Sequence, residues 1–112
     1  MTTAIIANLE SLLNGPRDGG LLRYSLGNEY LKAGQPAKAV ERFREAVARD
    51  ANFSAAWKLL GKALAENGEI ETALDAYAQG IRVAEAKGDL QAVKEMTVFA
   101  KRLRKQSIEN AP

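Results

Sequence analysis

Apolar residues recur at spacings of three and four along most of the chain. Leu22, Leu26, Tyr30 and Ala33 form one such series, and Ala39, Phe43, Ala46 and Val47 form the next. Gly34-Gln35-Pro36 stands between them. A glycine just past one helix and a proline in the first turn of the next is the expected punctuation of a helical hairpin. The plan then repeats. Trp57, Leu60 and Leu64 come first, Asn67-Gly68 breaks the run, and Ala73, Tyr77 and Ile81 follow. Spacings of three and four place each series on one helical face.

The flanks continue the pattern. Ile5, Leu9 and Leu12 predict a cap helix over 4–14, ended by Asn14-Gly15-Pro16 and joined to the rest by a flexible stretch, Arg17–Gly20. At the other end Gly88-Asp89 opens a capping helix over 89–106. Its apolar stripe is Ala92, Val93, Met96, Phe99, Ala100 and Leu103, and its opposite face carries Lys94, Lys101, Arg102 and Lys105. A frayed tail is expected over 107–112. The sum is six helices, no strands and one all-α domain over 1–112.

Shifted by 34 residues, the sequence meets itself: Leu26 falls on Leu60, Gly27 on Gly61, Gly34 on Gly68, Ala39 on Ala73, Phe43 on Tyr77 and Val47 on Ile81. Two units follow, 21–53 and 54–87. Glycine inside a helix costs about 1 kcal/mol relative to alanine. Its presence at the same place twice, at Gly27 and Gly61, marks a close approach of two helices that outweighs the cost. Trp57 is expected to pack between the hairpins.

These residues resemble the tetratricopeptide repeat (TPR) family, whose signature is W-x2-L-G-x2-Y…A-x3-F…P at this period. The first unit reads Arg23-x2-Leu26-Gly27-x2-Tyr30 and Ala39-x3-Phe43; the second reads Trp57-x2-Leu60-Gly61-x2-Leu64 and Ala73-x3-Tyr77. Arg23 takes a tryptophan slot, Leu64 a tyrosine slot, and Ala51 and Glu85 stand where proline is common. The second missing proline predicts a longer helix ending near Lys87. The resemblance implies a right-handed helical solenoid of antiparallel hairpins, like the small stand-alone bacterial members. It also implies a non-enzymatic scaffold that binds a peptide or partner surface on the concave side, lined by the first helix of each hairpin. Some chaperone-binding members clamp a terminal carboxylate with Lys and Asn. Here Asn28 stands at one clamp slot, but Leu59 and Asp89 occupy two others.

Composition narrows the chemistry. The 112 residues include no Cys and no His. That removes disulfides, thiol nucleophiles, the commonest general base and the commonest zinc ligands. The pairs Glu41/Glu45 and Glu69/Glu71 belong to charged surface, and Gly19-Gly20 has no strand before it to make a phosphate loop. No enzyme activity, cofactor or metal is therefore expected. No uncharged stretch approaches the ~18 residues of a membrane span, and the N-terminus lacks the basic start of a signal peptide. The cytoplasm is the expected compartment.

Candidate binding residues are those on the first helices that lie off the packed stripe: Tyr24, Asn28, Leu31 and Lys32 in one unit, and Lys58, Lys62 and Glu66 in the other. Tyr24 offers an aromatic face, Asn28 both donates and accepts, and the three lysines attract acidic groups. A protein or peptide partner, acidic in character, is the expected ligand. Net charge is only +2, but residues 87–112 carry six of the sixteen basic side chains and three of the fourteen acidic ones. The face made by Lys94, Lys101, Arg102 and Lys105 is thus an alternative site for nucleic acid or an anionic surface. Nucleic acid ranks behind protein because aromatics are few there. Weak homo-oligomerisation through the capping helix is a further alternative.

Overall fold

Six helices run through residues 2–110, the part of the chain that this computed structural model describes. They are α1 (Thr2–Glu10), α2 (Gly20–Lys32), α3 (Pro36–Arg49), α4 (Ser54–Glu66), α5 (Ile70–Lys87) and α6 (Leu90–Glu109). No strand occurs among the described residues. From α1 to α6 the fold is an all-α helical repeat solenoid. Each helix packs on the next. In addition α2 touches α4, and α4 touches α6, whereas α3 and α5 do not approach each other. The stack therefore curves, with α2, α4 and α6 on its inner side.

The hairpins close because glycine admits an aromatic ring. A Cβ on Gly27 would lie 2.7 Å from the Phe43 ring, and a Cβ on Gly61 would lie 2.5 Å from the Tyr77 ring. Both distances are far inside van der Waals contact. Alanines fill the remaining narrow places: Ala39, Ala46, Ala63 and Ala73 are fully buried. Phe43, Leu26, Leu64 and Met96 are the largest fully buried side chains. A third close approach has no counterpart in the repeat. A Cβ on Gly80 would lie 2.5 Å from the Met96 sulfur and 2.9 Å from Trp57 Cβ, so α4, α5 and α6 converge there. Trp57 is half-buried against its own hairpin at this point. Its indole N–H donates to the Ala51 carbonyl, 2.8 Å away in the connection from α3.

Arg23, in the tryptophan slot of the first unit, uses charge instead. It is buried, and its guanidinium donates to Asp18 at 2.9 and 2.5 Å and to Glu45 at 2.8 Å. Asp18 also accepts the Asn14 backbone N–H at 2.8 Å. The stretch 17–20, expected to be a flexible joint, is thereby tied to α2. Arg42 carries the network on to Glu45 and Glu10, and Glu10 accepts the Tyr30 hydroxyl. Hydrogen bonds from Arg23 and from the Asn14 N–H hold the Asp18 carboxyl well below the usual carboxylate range. Partial burial pushes the Glu45 carboxyl up, but Arg42 and Arg23 outweigh it and the net shift is downward.

Element ends follow local chemistry. α1 stops at Glu10, and Leu12 and Leu13 tighten into turns on the Leu9 and Glu10 carbonyls before Asn14 reaches φ 66°. α5 has 18 residues against 14 in α3. It ends at Gly88, whose φ of 74° suits glycine and brings the Asp89 N–H onto the Ala84 carbonyl. Asp89 then caps α6 by accepting the Ala92 N–H at 3.1 Å. α6 runs past Gln106 to Glu109; Ala111 and Pro112 of the expected tail lie outside the described residues.

Two outcomes are expected. Gly61→Ala should lower stability by about 1–3 kcal/mol despite its better helix propensity, because the added methyl would lie 2.5 Å from the Tyr77 ring and push this buried ring off its seat on α4. At Gly20 a Cβ would meet nothing closer than 3.5 Å. Gly20→Ala should therefore stay within about 0.5 kcal/mol of wild type or gain slightly. Urea denaturation of both variants checks this, and equal effects would contradict the packing described. The second outcome concerns pH. Asp18 and Glu45 are held below their unfolded values, so their contribution is complete above about pH 5 and is lost as pH falls through and below about 4. Thermal midpoints measured from pH 7 to pH 3 should fall more steeply for wild type than for Asp18→Asn.

Candidate functional site

Lys58, Leu59, Lys62 and Ala65 follow one another at spacings of one and three on the inner side of α4. Phe99, Arg102, Leu103 and Gln106 do the same on α6. Between these two rows lies a cleft of about 450 Å³, floored by Tyr77 of α5. That volume lies within the range of sites that take small ligands or a few side chains. Leu59, Tyr77, Phe99 and Leu103 make the apolar part, with the Tyr77 and Phe99 rings 6.0 Å apart and tilted by 49°. Lys58, Lys62 and Arg102 make a cationic rim.

The three cations differ. Lys62 and Arg102 are exposed and make no ion pair among the described residues. Lys58 is half-buried, and its Nζ lies 3.3 Å from Glu95 Oε1 across the α4–α6 seam. Burial, with a smaller contribution from Glu66, pushes the Tyr77 hydroxyl up to about 12. It stays protonated at neutral pH and can donate to an incoming carboxylate. A second cavity, of about 180 Å³, adjoins the first through Lys58 and is bordered by Asp89, Gln91 and Glu95.

The two candidate sets are thus partly joined and partly separated. Lys58 and Lys62 share the cleft with Arg102, which the sequence grouped with the capping-helix face. Tyr24, Asn28, Leu31 and Lys32 stand on α2, outside the cleft, and Lys32 pairs with Glu29 at 3.3 Å. Tyr24 packs its ring 4.7 Å from Phe53 and 6.0 Å from Phe43. Glu66 lies at the exposed end of α4, and Lys94, Lys101 and Lys105 remain exposed beside the cleft rather than in it. Sequence reasoning missed Leu59, Phe99 and Gln106 as lining residues; it assigned Tyr77 and Leu103 to the core, where both are buried while also bordering the cleft. The spacing of Glu95, Phe99, Arg102 and Gln106 was the available signal. Among the described residues no group of three or more Asp or Glu is placed to hold a metal ion.

A model of the tetratricopeptide repeat matches residues 24–91, more than half of the chain. The chain belongs to the tetratricopeptide repeat family. It is 44% identical over 99 residues to a TPR repeat-containing protein of Pseudomonas aeruginosa, covering 88% of this chain and 94% of that one. The solution structure of a Bordetella parapertussis protein is similar, with a TM-score of 0.81, 37% identity, and coverage of 95% of this chain and 92% of that one. The Sgt2 TPR domain of Aspergillus fumigatus is similar at a TM-score of 0.82 and 25% identity, covering 99% of this chain and 73% of that one. This is a small TPR protein, and the TPR fold is a protein–protein interaction module whose members are generally non-enzymatic.

In this TPR chain the register of the last helix departs from the repeat. Buried Met96 and Ala100 stand 36 residues after buried Leu60 and Leu64, not 34. Gln91, rather than Asp89, therefore occupies the clamp slot compared above, and the clamp lacks its lysine in either register. The same offset puts Lys94, Val98 and Lys101 where Lys58, Lys62 and Ala65 stand on α4.

Tyr24 gives a direct check. Its ring is engaged with Phe53 and Phe43, so Tyr24→Ala should cost about 2–3 kcal/mol in chemical denaturation. Tyr24→Phe should stay within about 0.5 kcal/mol. A neutral alanine variant would free the ring for partner binding alone.

Proposed function

We propose that this TPR protein captures an acidic segment of a partner protein in the cleft between α4 and α6. The single observation that carries this is the lining of the cleft: an apolar floor under Lys58, Lys62 and Arg102. Apolar side chains of the segment enter between Leu59, Phe99 and Leu103, and their burial supplies most of the affinity. Carboxylates on the segment meet Lys62 and Arg102. Arg102 can hold one bidentately, whereas Lys62 acts as a point charge. Such rim charges govern approach and selection more than total affinity.

The rest of the inner face extends this surface. Lys94 takes the place of Lys58 one helix further on, and Lys101 and Lys105 follow it along α6. They favour a segment long enough to leave the cleft and run along α6. Tyr24, Asn28, Leu31 and Lys32 extend the surface on the other side, along α2. The chain acts by presenting a surface, not by catalysis, and needs no cofactor. A nucleic-acid partner would use the same lysines without the apolar floor. No helix among the described residues is long and apolar enough to cross a membrane.

The test is a nitrogen-15 NMR titration with three probes: an acetylated peptide alternating Glu with Leu and Phe, its Lys-for-Glu counterpart, and a single-stranded DNA oligonucleotide. The acidic peptide should shift Leu59, Lys62, Phe99 and Arg102 amides. Lys62→Glu combined with Arg102→Glu should weaken it at least tenfold, and Lys101→Glu with Lys105→Glu only a few-fold. Tighter binding of DNA, lost only in the Lys101/Lys105 variant, would overturn the proposal. So would dimerisation that buries the cleft, read by sedimentation.

A further inference from the structure

Lys58 stands in the wall between the two cavities and lines both. On one side are Lys62 and Arg102; on the other are Glu95 and Asp89. The partition of charge is clear: the charged residues of the larger cavity are all cations, and those of the smaller are carboxylates apart from Lys58 itself. Lys58 Nζ faces the acidic side, 3.3 Å from Glu95 Oε1. In that position its charge is already neutralised and is withheld from the larger cleft.

Resting on the cleft reading above, we propose that Glu95 is a built-in competitor for Lys58, a carboxylate of the protein's own that an acidic partner segment must displace. The exchange is physically accessible. The side chains of Lys58 and Glu95 are 29% and 38% exposed. An ion pair this accessible to water is weak. Lysine carries its charge on a flexible four-carbon stem with rotatable donors, so Lys58 can turn from the Glu95 side to the Lys62 side without movement of α4. Asp89 does not hold Lys58 back, because its side chain is engaged in capping α6 through the Ala92 N–H and makes no ion pair with Lys58. Displacement leaves Glu95 to water. A segment with a single carboxylate has Lys62 and Arg102 available and gains little from Lys58. A segment with two or three carboxylates recruits Lys58 as well. Glu95 thus raises the threshold of acidity for tight binding, and it acts on selection rather than on the fold.

The experiment uses the full chain and two acetylated peptides of equal length, one alternating Glu with Leu and Phe and one with a single Glu and neutral Gln elsewhere. Affinities are measured by NMR titration or calorimetry. Glu95→Gln should tighten the multiply acidic peptide by two- to fivefold, the range expected from a partly exposed ion pair. The singly acidic peptide should change less than twofold. Glu85→Gln, an exposed carboxylate on α5, controls for net charge. In a Lys58→Met background the further change Glu95→Gln should have no more effect than Glu85→Gln. Binding by wild type that is lost in the Lys62→Glu/Arg102→Glu variant yet unchanged by Glu95→Gln overturns this inference and leaves the cleft reading standing. A gain that persists in Lys58→Met, or that Glu85→Gln equals, also overturns it. Absence of binding to both wild type and Glu95→Gln overturns the cleft reading and this inference together.

Discussion

The approach of an aromatic ring to bare backbone sets the geometry of both hairpins. Phe43 lies against Gly27 and Tyr77 against Gly61, at distances that no side chain on the glycine would permit. That contact brings the two helices of each hairpin together along one line. The inner helices then meet their neighbours while the outer ones splay. The curvature, and with it an inner face that can enclose a ligand, follows from four residues at two places. Burial of the two rings also offsets the cost of glycine within a helix.

Equivalent positions in the two units are filled by different physics. Trp57 packs beside Gly80 and satisfies its one donor on the Ala51 carbonyl. Arg23 at the matching place is buried only because Asp18 and Glu45 neutralise it and take up its donors. A buried guanidinium without such partners would be strongly destabilising. Arg23 therefore also fixes the approach of the chain from α1, a service that a tryptophan would not perform. The first hairpin gains a charged joint, and the second an uncharged one.

The cleft owes its character to a departure from the repeat. α5 is longer than α3, and α6 emerges with its buried face offset from the 34-residue period. Phe99 and Arg102 thereby turn towards Lys62, and Glu95 towards Lys58. The apolar floor and the cationic rim come from three helices, none of which shows the combination by itself. The ion pair across the seam stands between the cleft and the smaller cavity beside it.

The helices, their pairing and the family were legible in the sequence, since they depend on local quantities. Side-chain period fixes a helical face, Gly and Pro mark its ends, and a 34-residue recurrence of Gly with an aromatic identifies the contact between faces. The longer α5 was legible as well, from a missing proline. Membership of the cleft was not. Phe99 read as core because an apolar stripe does not reveal which of its edges a neighbour leaves uncovered. Arg102 read as part of an outer basic face because its azimuth depends on how α6 is rotated about its axis. That rotation is decided by the extra length of α5 and by Met96 seating on Gly80, a contact between residues far apart in the chain. Hydrophobic period is a property of one helix; a binding surface is a property of how several helices are turned against one another, and only packing sets that.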